Sequence, residues 1–235
     1  MMRVTTTYII AVATLVIFIG CAWGLADNTL TPSEQKAGWR LLFDGKTLNG
    51  WQATGNPEGW AVQDGTIANM LRGGGNIATK EQFSNFTLAF EFKLEKGVNS
   101  GLWLRWANLR DPVQTAIEIQ ILDSYGRNKP DKHDMGAMYD CQAPFRPAYK
   151  PAGEWNKMAV TCRDNLIWVD LNGKRINYIN LDRWTKPHQN PDGTPNKFDT
   201  AYKDMSRTGY IGFQDHGGKI WIKNIKIRPL PSRSE

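Results

Sequence analysis

The chain has 235 residues, a formal net charge of +6, 22 glycines, 10 tryptophans and 3 cysteines. The charge is spread along the chain without a Lys/Arg block, which reads as solubility and excludes the footprint of a nucleic-acid binder. No CxxC pair or Cys/His cluster is present, so the sequence encodes no zinc framework.

Residues 1–26 read as an export signal. Arg3 precedes an apolar run, Tyr8–Gly20, that is short for a membrane span, and Gly24-Leu25-Ala26 offers a small-residue cleavage site. Phe18-Ile19-Gly20-Cys21 is also similar to a lipoprotein processing box, and lipid on Cys21 would anchor the chain. Both processing routes stay open. They imply an extracytoplasmic location, with membrane contact only through the signal or a lipid. Residues 27–37 read as a short linker, 38–229 as one domain and 230–235 as a tail. Cys141 and Cys162 are expected either to pair or to stay as two buried thiols.

Along the domain, short β-patterned runs alternate with turn signals. The runs are Gly38–Phe43, Phe86–Leu94, Ser100–Trp106, Ala116–Leu122 and Trp155–Arg163. Asp64-Gly65, Asn172-Gly173 and Gly217-Gly218 mark hairpins, because these pairs accept the positive φ of two-residue turns. About a dozen strands in one domain predict an all-β sandwich. Two connections are long, Ser124–Glu154 and Asn180–Arg207, and loops of that length in a compact domain are functional or disordered. Their aromatic residues favour order. Asn85-Phe86-Thr87 matches a glycosylation sequon at the start of a strand.

The central run is TAIEIQILD, Thr115–Asp123. Strict alternation places Ile117, Ile119 and Ile121 on a core face, with Glu118 and Gln120 on the other, about 6.6 Å apart at ~3.3 Å per residue. The polar face is either a site or simply solvated. In NSGLWLR, alternation puts Trp103 and Arg105 on one face. If the two strands are antiparallel neighbours, Arg105 lies beside Glu118 or Gln120. An indole, a guanidinium and a carboxylate together would suit a sugar, stacking its ring and binding its hydroxyls. The bland alternative is an exposed Arg–Glu pair. In GFQDHG, Gln214 and His216 share a face at a strand end. His133 and Tyr139 lie in the first long loop, where an ordered segment would cover a site.

LLFDGKTLNGW (Leu41–Trp51), NSGLWLR, EIQILD, GEWN (Gly153–Asn156) and GYIGFQDHGGKIWIKNIKI (Gly209–Ile227) together resemble the 3-keto-disaccharide hydrolase domain family, from about Gly38 to Pro229. The resemblance implies a concanavalin-like jelly-roll β-sandwich of two curved antiparallel sheets. Secreted β-glucanases of similar fold carry an ExDxxE strand. Here Glu118-x-Gln120-x-x-Asp123 keeps the spacing but replaces two carboxylates, which speaks against a paired-carboxylate retaining mechanism.

The implied substrate suggests another route. A ketone at C3 acidifies the C2 proton, so one base could form an enolate, expel the C1 substituent and let water add. The resemblance then implies Glu118 as base, Arg105 or His216 against negative charge, and Asp123 as acid. Gln120, Trp103, Gln214, His133 and Tyr139 would contact the sugar. No cofactor is identified, and a divalent metal that stabilises the enolate stays open. Two other readings compete: a lectin-like binding module using Trp103, Trp155 or Trp221, and a surface domain gripping a protein partner with both loops.

Overall fold

A computed structural model describes residues 26–232. Among the described residues, thirteen strands carry the fold. The first five are β1 (Arg40–Leu41), β2 (Trp51–Ala53), β3 (Trp60–Gln63), β4 (Thr66–Asn69) and β5 (Ile77–Thr79). Next come β6 (Phe86–Leu94), β7 (Asn99–Trp106), β8 (Ile117–Leu122) and β9 (Asn156–Arg163). The last four are β10 (Leu166–Leu171), β11 (Lys174–Asn180), β12 (Tyr210–Phe213) and β13 (Ile220–Pro229).

They form two antiparallel sheets, as the sequence predicts. The larger runs β11-β10-β9-β6-β13-β4-β3, with β1 also on β13, and the smaller runs β2-β5-β12-β7-β8. Alternation decides what lies between them. Phe86, Leu88, Phe90, Phe92 and Leu94 of β6 are buried at every second position and meet Leu102, Leu104, Ile117, Ile119 and Ile121 of the smaller sheet. Each such side chain contributes about 1.5–3 kcal/mol on burial. Asp64-Gly65 and Asn172-Gly173 take positive φ at both positions, as their hairpins require.

Two details go beyond the sequence reading, and the cysteines take one of its two alternatives. The segment read as a linker is fastened to β13. Asp27 pairs with Lys223, Asn28 N–H donates to Asn224 Oδ1 while Asn28 Oδ1 accepts from Asn224 N–H, and Glu34 pairs with Lys226. A short helix, Pro32–Lys36, begins there with a capping box between Thr31 and Glu34. The Asn85 side chain is engaged internally with Arg105 and Asp164, so the sequon amide is part of the fold. Both Cys141 and Cys162 are buried and free. The signal and the Cys21 lipidation site lie outside the described residues.

Candidate functional site

The smaller sheet positions the site. β7 and β8 are antiparallel neighbours, with Trp103 opposite Glu118 and Gly101 opposite Gln120. On the far side of β7, Gly212 faces Trp103, and Gln214 continues that register by donating its N–H to Gly101 O at 2.9 Å. Opposed residues share a face, so Asn99, Gly101, Trp103, Glu118, Gln120 and Gln214 line one surface, away from the intersheet core.

That surface is not solvated. The first long loop runs along β8 as an irregular extra strand. Gly136 and Tyr139 donate N–H groups to Gln120 O (2.8 Å) and Glu118 O (3.0 Å), and Gln120 N–H reaches Ala137 O at 3.0 Å. Glu118 is left 5% exposed, Gln120 2% and Trp103 1%. Gly101 makes room for the carboxyl, since a Cβ there would collide with Glu118 Oε1. Burial raises the Glu118 pKa from 4.5 to about 7, and Lys197 pulls it down. Among the described residues, no hydrogen bond engages the Glu118 carboxyl. Trp103 Nε1, Gln120 Oε1 and Gln214 Oε1 are likewise buried without a partner. Buried polar atoms are normally satisfied, so one unpaired donor and two unpaired acceptors around a carboxyl form a surface ready for a polyhydroxy ligand.

The remaining groups come from the two long loops, and both are ordered. The second is packed through Trp184, Tyr202 and Phe198, whose rings meet edge to face. It delivers Lys197, whose ammonium lies 4.4 Å from the Tyr139 ring centroid. Tyr139 also meets the His133 ring at 5.0 Å. Burial, the nearby Glu118 and Asp140 all raise the Tyr139 hydroxyl, so it stays a proton donor at neutral pH. His133 Nε2 lies 3.2 Å from Asp140 Oδ1, and His133 O accepts from Gln120 Nε2 at 3.2 Å.

Of the sequence candidates, Glu118, Gln120, Trp103 and Gln214 share one surface of the smaller sheet, with His133 and Tyr139 beside it on the first long loop. Three other candidates lie elsewhere. Arg105 sits at a β-bulge, where the β12–β7 register shifts and its φ is +51°. The extra residue reverses alternation and turns Arg105 to the other side. Its guanidinium, 1% exposed, donates to Ser84 O (2.9 Å), Asp164 O (2.6 Å) and Asn85 Oδ1 (3.1 Å). It fastens β7 to the β6 entry and the β9–β10 turn. Asp123 lies five residues beyond Glu118 in β8 numbering, an odd offset and roughly 16 Å along the strand. Its Oδ2 accepts from Gly97 N–H at 2.8 Å and caps the β6–β7 turn. His216 is exposed on the β12–β13 turn, which Asp215 ties to Asn69 and Gly74. Neither Asp123 nor His216 joins the buried group.

Sequence reasoning missed Lys197 and Asp140, which carried no motif, and the role of Gly101. Trp221 lies on β13 of the opposite sheet and Trp155 just before β9, with Lys93 lying 4.7 and 5.2 Å from their ring centroids. Among the described residues, no group of three or more His, Cys, Asp and Glu is arranged to hold a metal ion.

Chemically, the site offers one carboxyl balanced between its two protonation states near neutrality, one ammonium, one phenol and unpaired amide and indole groups. A paired-carboxylate glycosidase needs two carboxyls about 5–5.5 Å apart for retention or roughly 6.5–9.5 Å for inversion. Asp123 does not provide the second.

Comparison with known proteins supports a carbohydrate-acting hydrolase. A curated 3-keto-disaccharide hydrolase of Bacteroides thetaiotaomicron is 28% identical, covering 82% of this chain and 79% of that protein. A crystal structure of a candidate glycosyl hydrolase from Parabacteroides distasonis matches with a TM-score of 0.74 and 34% identity, covering 82% of this chain and 99% of that one. A second from the same organism gives 0.73 and 29%, covering 88% and 100%. The family model described as a 3-keto-alpha-glucoside-1,2-lyase-like domain matches residues 38–228. With that match spanning both sheets and both long loops, the chain belongs to the 3-keto-alpha-glucoside-1,2-lyase-like family.

Proposed function

We propose that this protein cleaves 3-keto-glycosides, including 3-keto-disaccharides, outside the cytoplasm, by elimination followed by hydration. The observation that carries the reading is Glu118, a buried carboxyl with no hydrogen-bond partner among the described residues, whose pKa burial raises to about 7. A general base is most effective with a pKa near the working pH, and burial supplies that here.

In the first step the Glu118 carboxylate takes the C2 proton, and the C–H electron pair forms an enolate with the C3 oxygen. The enolate then collapses, restoring the C3 carbonyl, forming the C1–C2 double bond and expelling the C1 oxygen substituent. The departing oxygen takes a proton, and water adds back across C1 and C2. Lys197 supplies positive charge against the anionic intermediate, and protonated Tyr139 supplies a hydrogen-bond donor. Trp103 Nε1 and the free carbonyl oxygens of Gln120 and Gln214 hold sugar hydroxyls. The name of the Bacteroides relative supports the oxidised substrate, and the apolar N-terminal run supports export.

Glu118→Gln tests the assignment. It keeps the side-chain volume and removes the base, so turnover of a 3-keto-disaccharide should fall about 10²–10⁴-fold with near-ultraviolet circular dichroism unchanged. Full activity would remove Glu118 from the mechanism. Tight sugar binding without turnover in the unmodified protein would favour a binding module instead.

A further inference from the structure

Asp140 is an unusual residue for a loop that only covers a sheet. Its φ is +61°, a conformation that L residues adopt at a cost. Every polar group it has is in use. Its N–H donates to Lys132 O at 2.9 Å, and its own carbonyl accepts from Asn190 Nδ2 at 3.1 Å. Its Oδ1 accepts from Lys132 Nζ (3.0 Å) and His133 Nε2 (3.2 Å), and its Oδ2 from the Lys197 N–H (3.0 Å). Lys132 Nζ also reaches Pro195 O at 3.0 Å. Asp140 therefore holds both long loops at once, and one of its bonds goes to the backbone of the residue whose ammonium acts on Glu118. Burial pushes its own carboxyl up, but Lys132, His133 and the Lys197 N–H hold it below the usual range, so it stays charged across the working pH.

We propose that Asp140 is a positioning residue that fixes the Lys197 ammonium over Tyr139 and thereby sets the protonation balance of Glu118. The inference rests on Glu118 as the base, and it deepens that reading by naming what regulates it. The titratable groups around the cluster are Lys197 and Asp192 from the second loop, Asp131, Lys132, His133, Tyr139, Cys141 and Asp140 itself from the first, and Tyr202 beneath them. Among the described residues, Lys197 is the charge that pulls the Glu118 pKa down. Direct and positioning effects of Asp140 have opposite signs. Removing its negative charge would by itself ease ionisation of Glu118, whereas releasing Lys197 makes ionisation harder.

The test is a carboxyl titration of the full protein by ¹³C NMR with labelled glutamate, without substrate, the Glu118 signal being assigned by its loss in Glu118→Gln. Asp140→Asn should raise the Glu118 midpoint by about half a unit, in the same direction as Lys197→Met, and should raise it no further in the Lys197→Met background. An unchanged or lowered midpoint in Asp140→Asn overturns the proposal, as does an equal rise in the double variant. If Asp140→Asn does not fold, Asp140→Glu carries the same test, since it keeps the charge while displacing the carboxylate. Because no substrate is present, these outcomes are independent of whether Glu118→Gln abolishes cleavage.

Discussion

Gly101→Ala probes the site through a single methyl group. The backbone of Gly101 is outside the left-handed region, so alanine fits its φ and would by itself stabilise the fold by about 0.4–1 kcal/mol through the unfolded state. The new Cβ, however, would collide with Glu118 Oε1 and come within 3.1 Å of its Cδ and 3.2 Å of its Cγ. The carboxyl is the far end of a side chain, yet burial leaves it few alternatives, so overpacking of about 1–3 kcal/mol is expected. The net result is a loss of up to about 2.5 kcal/mol. Displacing the base by even an ångström should lower kcat about 10²-fold. Urea unfolding gives the first quantity and cleavage of a 3-keto-disaccharide the second. In a Glu118→Ala background the collision disappears, and Gly101→Ala should become neutral or stabilising. Wild-type stability and turnover in Gly101→Ala, or the same destabilisation in both backgrounds, would refute the reasoning.

Three further outcomes are expected. Glu118 titrates at 4.5 unfolded and about 7 folded, so the folded state holds its proton more tightly. Stability is therefore lost as pH rises from 4.5 through about 7, and Glu118→Gln should be more stable than wild type at pH 8, by up to about 3 kcal/mol, with little difference at pH 4. Thermal melts across that range check it. Arg105→Met removes the buried guanidinium that donates to Ser84 O, Asp164 O and Asn85 Oδ1, leaving Asn85 Oδ1 with the Asp164 N–H alone, and should cost about 2–5 kcal/mol, with residual folded protein keeping its kcat. Asp123→Asn, by contrast, should leave turnover unchanged.

Much of this arrangement is legible in sequence, because alternation is a two-residue rule that short strands obey. TAIEIQILD fixes both the core face and the polar face of β8, and Asp-Gly and Asn-Gly announce their own backbone geometry. The same rule fails at Arg105, where one inserted residue reverses the phase of NSGLWLR and nothing in an arginine announces a positive φ. It fails at Asp123 because the strand has ended and the carboxylate serves a turn. Whether Glu118 and Gln120 face water or protein is a tertiary matter, settled by a loop that pairs its backbone with β8. Lys197 is one lysine among many until the second loop folds over the first, and Asp140, which joins them, acts through contacts distant in sequence.

The most direct test of the account is cleavage of a 3-keto-disaccharide in deuterated water, with the product followed by NMR. Proton abstraction by Glu118, elimination and hydration predict deuterium at C2 of the keto sugar, and no cleavage or exchange in Glu118→Gln. Cleavage with the original hydrogen retained at C2, including in single-turnover experiments at raised pH where a shielded proton would exchange, would contradict it.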